Sequence, residues 1–347
     1  MPSPRLHAPI RFLISHRPQV WTMLLVTFFC AFLCWPIQTA LADLLPQAPL
    51  PAPLQQARFI AYTPRGFSVT NGIPIPATRD SIATDLALLR PHFDGLITYA
   101  STNGLERIPE VAASLGYRAV ILGIWDPGAT DEIDHAIRAA TKFPNLVAAI
   151  LVGNEGIYAK RYGQEEVRQA MARIRREVPG VPLATSEPFF LYLNEGHVKF
   201  FASHDLLMPI IHPMFEKWFH PDRPEEGVTM TLGVLDHLRR LYRNPILVKE
   251  TGQPSGLSLN GFAPTTQARF WTELRKRFPS SPSLAFACFE AFDAPWKPAE
   301  QSAAQQTITA DFRGDHGNEA HWGFFTADGQ AKPVVDTLPP LPGRPGQ

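Results

Sequence analysis

Short apolar runs recur along this chain at a nearly constant interval, and helical patterns fill the gaps between them. The runs cover residues 58–63, 95–101, 118–125, 147–155, 181–187, 205–212, 246–250 and 284–292. From Phe59 to Ala285 is 285 − 59 = 226 residues over seven intervals, about 32 each. A single barrel of eight βα units spends about 250/8, roughly 31 residues, on each. Unbroken apolar runs of this length suit strands buried on both faces. Between them, segments such as 165–178 place Val167, Met171, Ile174 and Val178 at helical spacing. Thr130 suits the N-cap of the helix that it opens. A doubly wound sheet would show similar alternation. The eight-fold count and the polar residues closing the runs favour an α/β fold, a single (β/α)8 TIM barrel over residues 57–335.

The flanks read differently. Residues 1–42 contain no Asp or Glu; Arg5, Arg11 and Arg17 precede an apolar block at 20–35, and Ala40-Leu41-Ala42 follows. That is the pattern of a signal peptide, with an uncleaved anchor as the alternative. It implies export to the periplasm or the extracellular space. Residues 43–56 are Pro-rich and read as an extended linker, and 336–347 as a Pro-rich tail. Cys30 and Cys34 fall in the leader, so Cys288 cannot pair within the exported part and reads as a buried hydrophobe. The 32 cations balance the 32 anions, which leaves no basic footprint for nucleic acid.

Chemistry concentrates at two strand ends. Ile246-Leu-Val-Lys-Glu250 runs into the turn Thr-Gly-Gln-Pro-Ser-Gly256, and Val147-Ala-Ala-Ile-Leu-Val-Gly-Asn-Glu155 runs into Gly156. The carboxyl ends of barrel strands are where catalytic groups sit. Two carboxylates on that face are the parts needed to cleave a glycosidic bond. Glu155 and Glu250 are 250 − 155 = 95 residues apart, which places them on the fourth and seventh strands. The plainer reading of Glu250 is an ion pair with the adjacent Lys249.

With these residues in view, the chain resembles glycoside hydrolase family 17, the β-1,3-glucanase family of clan A. The resemblance rests on Val152-Gly-Asn-Glu155, Glu250-Thr-Gly-Gln-Pro-Ser255, Phe289-Glu-Ala-Phe-Asp-Ala-Pro-Trp-Lys297 and His321-Trp-Gly-Phe-Phe325. The third is similar to the bacterial branch. The resemblance implies a retaining mechanism on β-glucan without metal or cofactor. Glu155 matches the general acid/base, Glu250 the nucleophile, and Asn154 a partner of the sugar 2-hydroxyl. A retaining pair stands about 5–5.5 Å apart. Two positions depart from the family pattern: Gln253 stands where Trp is usual, and Ala294 where an acid is usual, with Lys297 matching a family Lys.

Further candidates follow from position. Glu187, His212 and Glu216 close strands five and six and are expected to hydrogen-bond sugar hydroxyls or the acid. Tyr62 and Tyr99 close strands one and two. Trp125, Trp218, Trp296 and Trp322 are candidate stacking platforms, Trp296 foremost because it follows strand eight. His204, Asp205 and His212 span one strand, a spacing that does not make a metal site. A transglycosylase using the same two Glu, and a silent glycan-binding barrel, are the rival readings.

Overall fold

The computed structural model describes residues 46–256, 261–298 and 316–341. The leader expected over residues 1–42 lies outside the described residues. The strands are β1 (Phe59–Ala61), β2 (Ser68–Thr70), β3 (Ile73–Ile75), β4 (Gly95–Ile97), β5 (Ala119–Ile124), β6 (Val147–Asn154), β7 (Leu183–Ser186), β8 (Ile246–Val248) and β9 (Leu284–Cys288). Seven of them form one sheet in the order β7-β6-β5-β4-β1-β9-β8, and every pairing in it is parallel.

The sheet closes through the expected sixth strand. Residues 205–211 bridge β7 and its extension on one side (Pro188 with Ile210) and β8 with its extension on the other (Leu207 with Ile246, Ile210 with Glu250). Pro209 interrupts the ladder because it has no N–H to donate. Its carbonyl still accepts from the Lys249 N–H at 3.0 Å. The eight-fold barrel is thus complete, with one member held by isolated bridges.

Strand residues alternate between two cores. Phe59, Ile97, Ile121, Leu151 and Leu247 fill the barrel interior. Ile60, Leu96, Val120, Ile150 and Val248 pack against the surrounding helices. The helix Gln164–Glu177 shows how the outer layer is made: Val167, Ala170, Met171 and Ile174 are its buried stripe. The helix expected to be capped by Thr130 starts at that residue, with Ala129 in the N-cap position.

Two local expectations change. Residues 47–56, read as a linker, fold beneath the barrel. Ala48 and Leu50 donate to the carbonyls of Arg243 and Pro282 at 3.1 and 2.9 Å; Leu50 and Leu54 are buried with Phe59. The tail is likewise packed as far as Leu341, which is buried, while Arg275 donates to the Thr337 carbonyl at 3.1 Å. In both cases leucines among the prolines supply enough apolar surface to dock. Between β1 and the next helix, β2 and β3 form a hairpin. It turns on Asn71-Gly72, both at positive φ, the pairing that a tight primed turn prefers.

Candidate active site

The site lies at the carboxyl ends of the strands and is organised around Glu250. Leu247 faces the barrel interior, so strand alternation sends Lys249 the same way. Lys249 is fully buried, and its ammonium contacts the Glu250 carboxylate. It also donates to Asn154 Oδ1 at 2.7 Å and stands 4.2 Å from the ring centroid of Tyr99. On the other strands, the Tyr99 hydroxyl donates to Glu250 Oε1 at 3.0 Å, and His212 Nε2 is 3.3 Å from Glu250 Oε2. Burial alone would raise the Glu250 pKa. Lys249 and His212 outweigh it and hold the group at about 2, so the carboxylate is ionised at neutral pH.

Glu155 is the electrostatic opposite. Burial, followed by the negative charge of Glu250, pushes it up to about 8. It therefore keeps its proton at neutral pH, as a general acid must. Its backbone sits at φ 51°, a left-handed conformation costly for a residue with a Cβ. Three contacts hold the turn there. The Glu155 N–H donates to the Ser186 carbonyl at 2.8 Å. The Gly156 N–H donates to the Tyr162 hydroxyl at 3.2 Å. A Cβ on Gly156 would lie 1.9 Å from the Tyr162 ring, so glycine is required where the ring packs.

The third contact is made by Glu187. It is fully buried, and its oxygens accept from the N–H groups of Ile157 at 2.9 Å and Tyr158 at 3.1 Å. Burial pushes its pKa up to about 7 despite those donors. Glu187, expected as a partner of the sugar or the acid, is committed to the loop that presents the acid.

The other expected residues divide. Asn154, Tyr99 and His212 converge on Lys249 and Glu250. Because Lys249 can only donate, it fixes Asn154 Oδ1 as the acceptor and leaves the Asn154 NH2 as the donor available to a substrate. Lys297 is 2.6 Å from both oxygens of Glu290. Tyr62 is not in the site. It shares its strand parity with Ile60 and lies in the outer core, where its hydroxyl donates to Asp85 at 3.1 Å. Trp322 is also no platform: it is fully buried, packs 4.7 Å from His212 and donates from its indole to Glu319 at 3.0 Å. Trp296 is half-buried, edge-on to Phe67 at 5.8 Å. Trp125 and Trp218 are each 43% exposed on the rim, and Glu216 is half-buried after the short turn Pro213–Phe215. His204 and Asp205 begin the segment that His212 ends, so the three do not meet.

Two further carboxylates belong to the site: Glu290, which the sequence shows only as a member of the Phe289–Lys297 motif, and Glu319, which no motif marks. Glu290 is buried between β9 and Lys297. Glu319 is buried next to Ala320, whose carbonyl accepts from the Ala294 N–H at 3.0 Å. The negative charges of both bear on the site: Glu290 raises the pKa of Tyr99, and Glu319 that of Glu155. After β9, where the resemblance led to the expectation of an acid and Ala294 stands instead, Glu319 brings a carboxylate to the same corner from another segment. The Asp293 carboxylate beside it receives the Lys332 ammonium at 2.5 Å. Gln253, the other departure, donates to the Pro221 carbonyl at 2.9 Å and to Thr266 Oγ1 at 2.7 Å, tying loop 213–223 to the helix Pro264–Arg277.

The model of the BtgE/BtgC glycoside hydrolase domain matches residues 60–323. The chain belongs to that family. It is a glycoside hydrolase of the family 17 type, as the motifs implied. It is 25% identical over 277 residues to a glucan 1,3-beta-glucosidase of Arthroderma benhamiae, covering 72% of this chain and 82% of that protein. Among solved structures, it is similar to a glycoside hydrolase family 17 β-1,3-glucanosyltransferase from Rhizomucor miehei. The TM-score is 0.58 at 22% identity, over 82% of this chain and 98% of that one. It is also similar to an endo-laminarinase from Formosa Hel1_33_131, with a TM-score of 0.61 at 20% identity over 83% and 90% of the two chains. These structural likenesses concern the fold of the BtgE/BtgC-type domain, a (β/α)8 barrel.

Proposed function

We propose that this BtgE/BtgC-type protein is an exported, retaining glycosidase acting on β-1,3-linked glucan, with Glu250 as nucleophile and Glu155 as general acid/base. The observation that carries the reading is the opposite tuning of two carboxylates at one barrel mouth, Glu250 at about 2 and Glu155 at about 8. Pairs pushed apart in this way divide the acid and nucleophile roles.

In the first step a Glu250 oxygen bonds to the anomeric carbon, the glycosidic C–O bond breaks, and the Glu155 proton passes to the leaving oxygen. In the second, Glu155 takes a proton from an incoming hydroxyl as its oxygen attacks that carbon, and the ester to Glu250 breaks. The anomeric configuration is retained. The Tyr99 hydroxyl, Lys249 and His212 steady Glu250 while its charge changes.

Transfer to a sugar hydroxyl in place of water uses the same steps. It is favoured by the aromatic rim on the side of the acid, where Trp125, Tyr158 and Phe190 are exposed. Such faces can pack against the sugar that receives the glycosyl group.

The test is incubation with a linear β-1,3-gluco-oligosaccharide, resolving products by size and anomeric form. Shorter products of retained configuration, lost in Glu155→Gln and Glu250→Gln, support hydrolysis; longer products shift the reading to transfer. Rates should fall as pH rises through about 8, where Glu155 loses its proton. Turnover that survives Glu250→Gln would overturn the assignment.

A further inference from the structure

A fully buried lysine inside a barrel needs a reason, and the reading of Glu155 and Glu250 does not by itself supply one. Lys249 touches the Glu250 carboxylate, Asn154 Oδ1 at 2.7 Å and the face of Tyr99 at 4.2 Å. All three are electron-rich and favour the ammonium, against the burial that lowers its pKa. Its neighbours come from every element around it. Asn154 ends β6 and Glu155 follows it, Tyr99 follows β4, His212 ends the bridging segment, and Glu290 with Lys297 follows β9. Lys297 is already committed to Glu290 at 2.6 Å; Lys249 contacts the Glu250 carboxylate directly and reaches the strand end that carries Glu155 through Asn154.

Resting on the double-displacement reading above, we propose that Lys249 is a positioning residue that acts as the shared counter-ion of both catalytic carboxylates, balancing Glu250 before the glycosyl-enzyme forms and Glu155 after it. The charge count explains why one cation suffices. Before reaction Glu250 is anionic and Glu155 is protonated. Once the Glu250 oxygen is esterified and the Glu155 proton has left with the departing sugar, Glu250 is neutral and Glu155 carries the charge. The site holds one negative charge in both states, and it moves from one carboxylate to the other around a fixed ammonium. Lys249 also lowers the pKa of each carboxylate in the resting site. The same contact fixes the Asn154 amide, so the sugar-facing donor and the counter-ion share one anchor.

The experiment compares the full protein with Lys249→Met, which keeps length and removes charge, and with Lys249→Gln, which keeps hydrogen bonding without charge. The pH profile is taken on a β-1,3-gluco-oligosaccharide, whose leaving oxygen needs the Glu155 proton; breakdown of the glycosyl-enzyme is followed on a β-1,3-linked oligosaccharide of a dinitrophenol, whose departure needs no proton. In both variants the two limbs of the kcat/KM profile should move alkaline together, by about one to three pH units, the effect of an opposite charge at contact distance. At neutral pH, breakdown of the glycosyl-enzyme should slow, because Glu155 holds its proton too tightly to act as base. A stoichiometric burst of dinitrophenolate followed by slow release, with the glycosyl adduct visible by intact mass, is the expected result. Unshifted limbs with a uniformly lower rate would show that Lys249 only fills space. A wild-type profile in Lys249→Gln would show that hydrogen bonding, not charge, is its role. Either result overturns the proposal. Failure of the underlying reading has a separate signature, a Glu250→Gln variant that still turns over.

Discussion

Replacing Glu187 by alanine removes the acceptor for two backbone donors at once. The N–H groups of Ile157 and Tyr158 point at its carboxylate from 2.9 and 3.1 Å, and the side chain is fully buried. An interior donor left without a partner costs about 1–3 kcal/mol, so the pair costs about 2–6 kcal/mol. For a domain of this size that lowers the melting temperature by several degrees, at about 2–4 °C per kcal/mol or a little less. The loop can also relax by peeling outward to reach water. It would then release Glu155 from its left-handed backbone position, and catalysis would fall in place of stability. Glu187→Gln keeps one acceptor and sets its NH2 against the second donor, so roughly half the effect is expected. The assay combines thermal melting, kcat on a β-glucan oligosaccharide, and amide exchange at residues 157 and 158, where each 1.4 kcal/mol is about tenfold in protection. A variant with unchanged melting, unchanged exchange and unchanged kcat would refute the idea that Glu187 holds the acid's loop.

Two other outcomes follow from the same geometry. Lys297→Met leaves Glu290 buried without its partner, which should cost about 3–5 kcal/mol at neutral pH. Burial already raises the Glu290 pKa against the pull of Lys297; with the lysine gone it rises further, so the deficit shrinks as the pH falls toward about 4 and Glu290 protonates. Melting curves across that range check the sign, and a pH-independent deficit would contradict it. Tyr62→Phe removes a buried hydrogen bond to Asp85, which Arg65 still satisfies at 2.6 and 2.8 Å. It should cost about 0.5–1.5 kcal/mol and leave kcat unchanged; a large loss of activity would return Tyr62 to the site.

How much of this was legible without coordinates differs from residue to residue. Glu155 and Glu250 could be found because each ends an apolar run beside glycine, a local pattern that any strand-to-loop passage at a barrel mouth leaves behind. Tyr62 and Tyr99 could not be told apart. Both close a strand, but the barrel strands are apolar on both faces, so no polar alternation reveals which side chains point inward. Only the packing of Phe59 and Ile97 inside and Ile60 outside sets the parity. The hairpin β2–β3 carried a readable signal in Asn71-Gly72, whereas the docking of Leu50, Leu54 and Leu341 beneath the barrel did not, since proline-rich stretches mask isolated leucines.

By itself the sequence determined the βα period, the two strand-end carboxylates and the family motifs, because these are properties of neighbours along the chain. Apart from the pair of Lys249 with its chain neighbour Glu250, which charge meets which carboxylate was decided by tertiary structure. Lys249 between Asn154 and Glu250, Lys297 on Glu290, Glu319 near the corner that Ala294 leaves without an acid, and Glu187 under the acid's loop all join separate strands or loops. The opposite pKa values of Glu155 and Glu250 depend on burial and on those long-range partners, and neither is written in the spacing of residues along one strand.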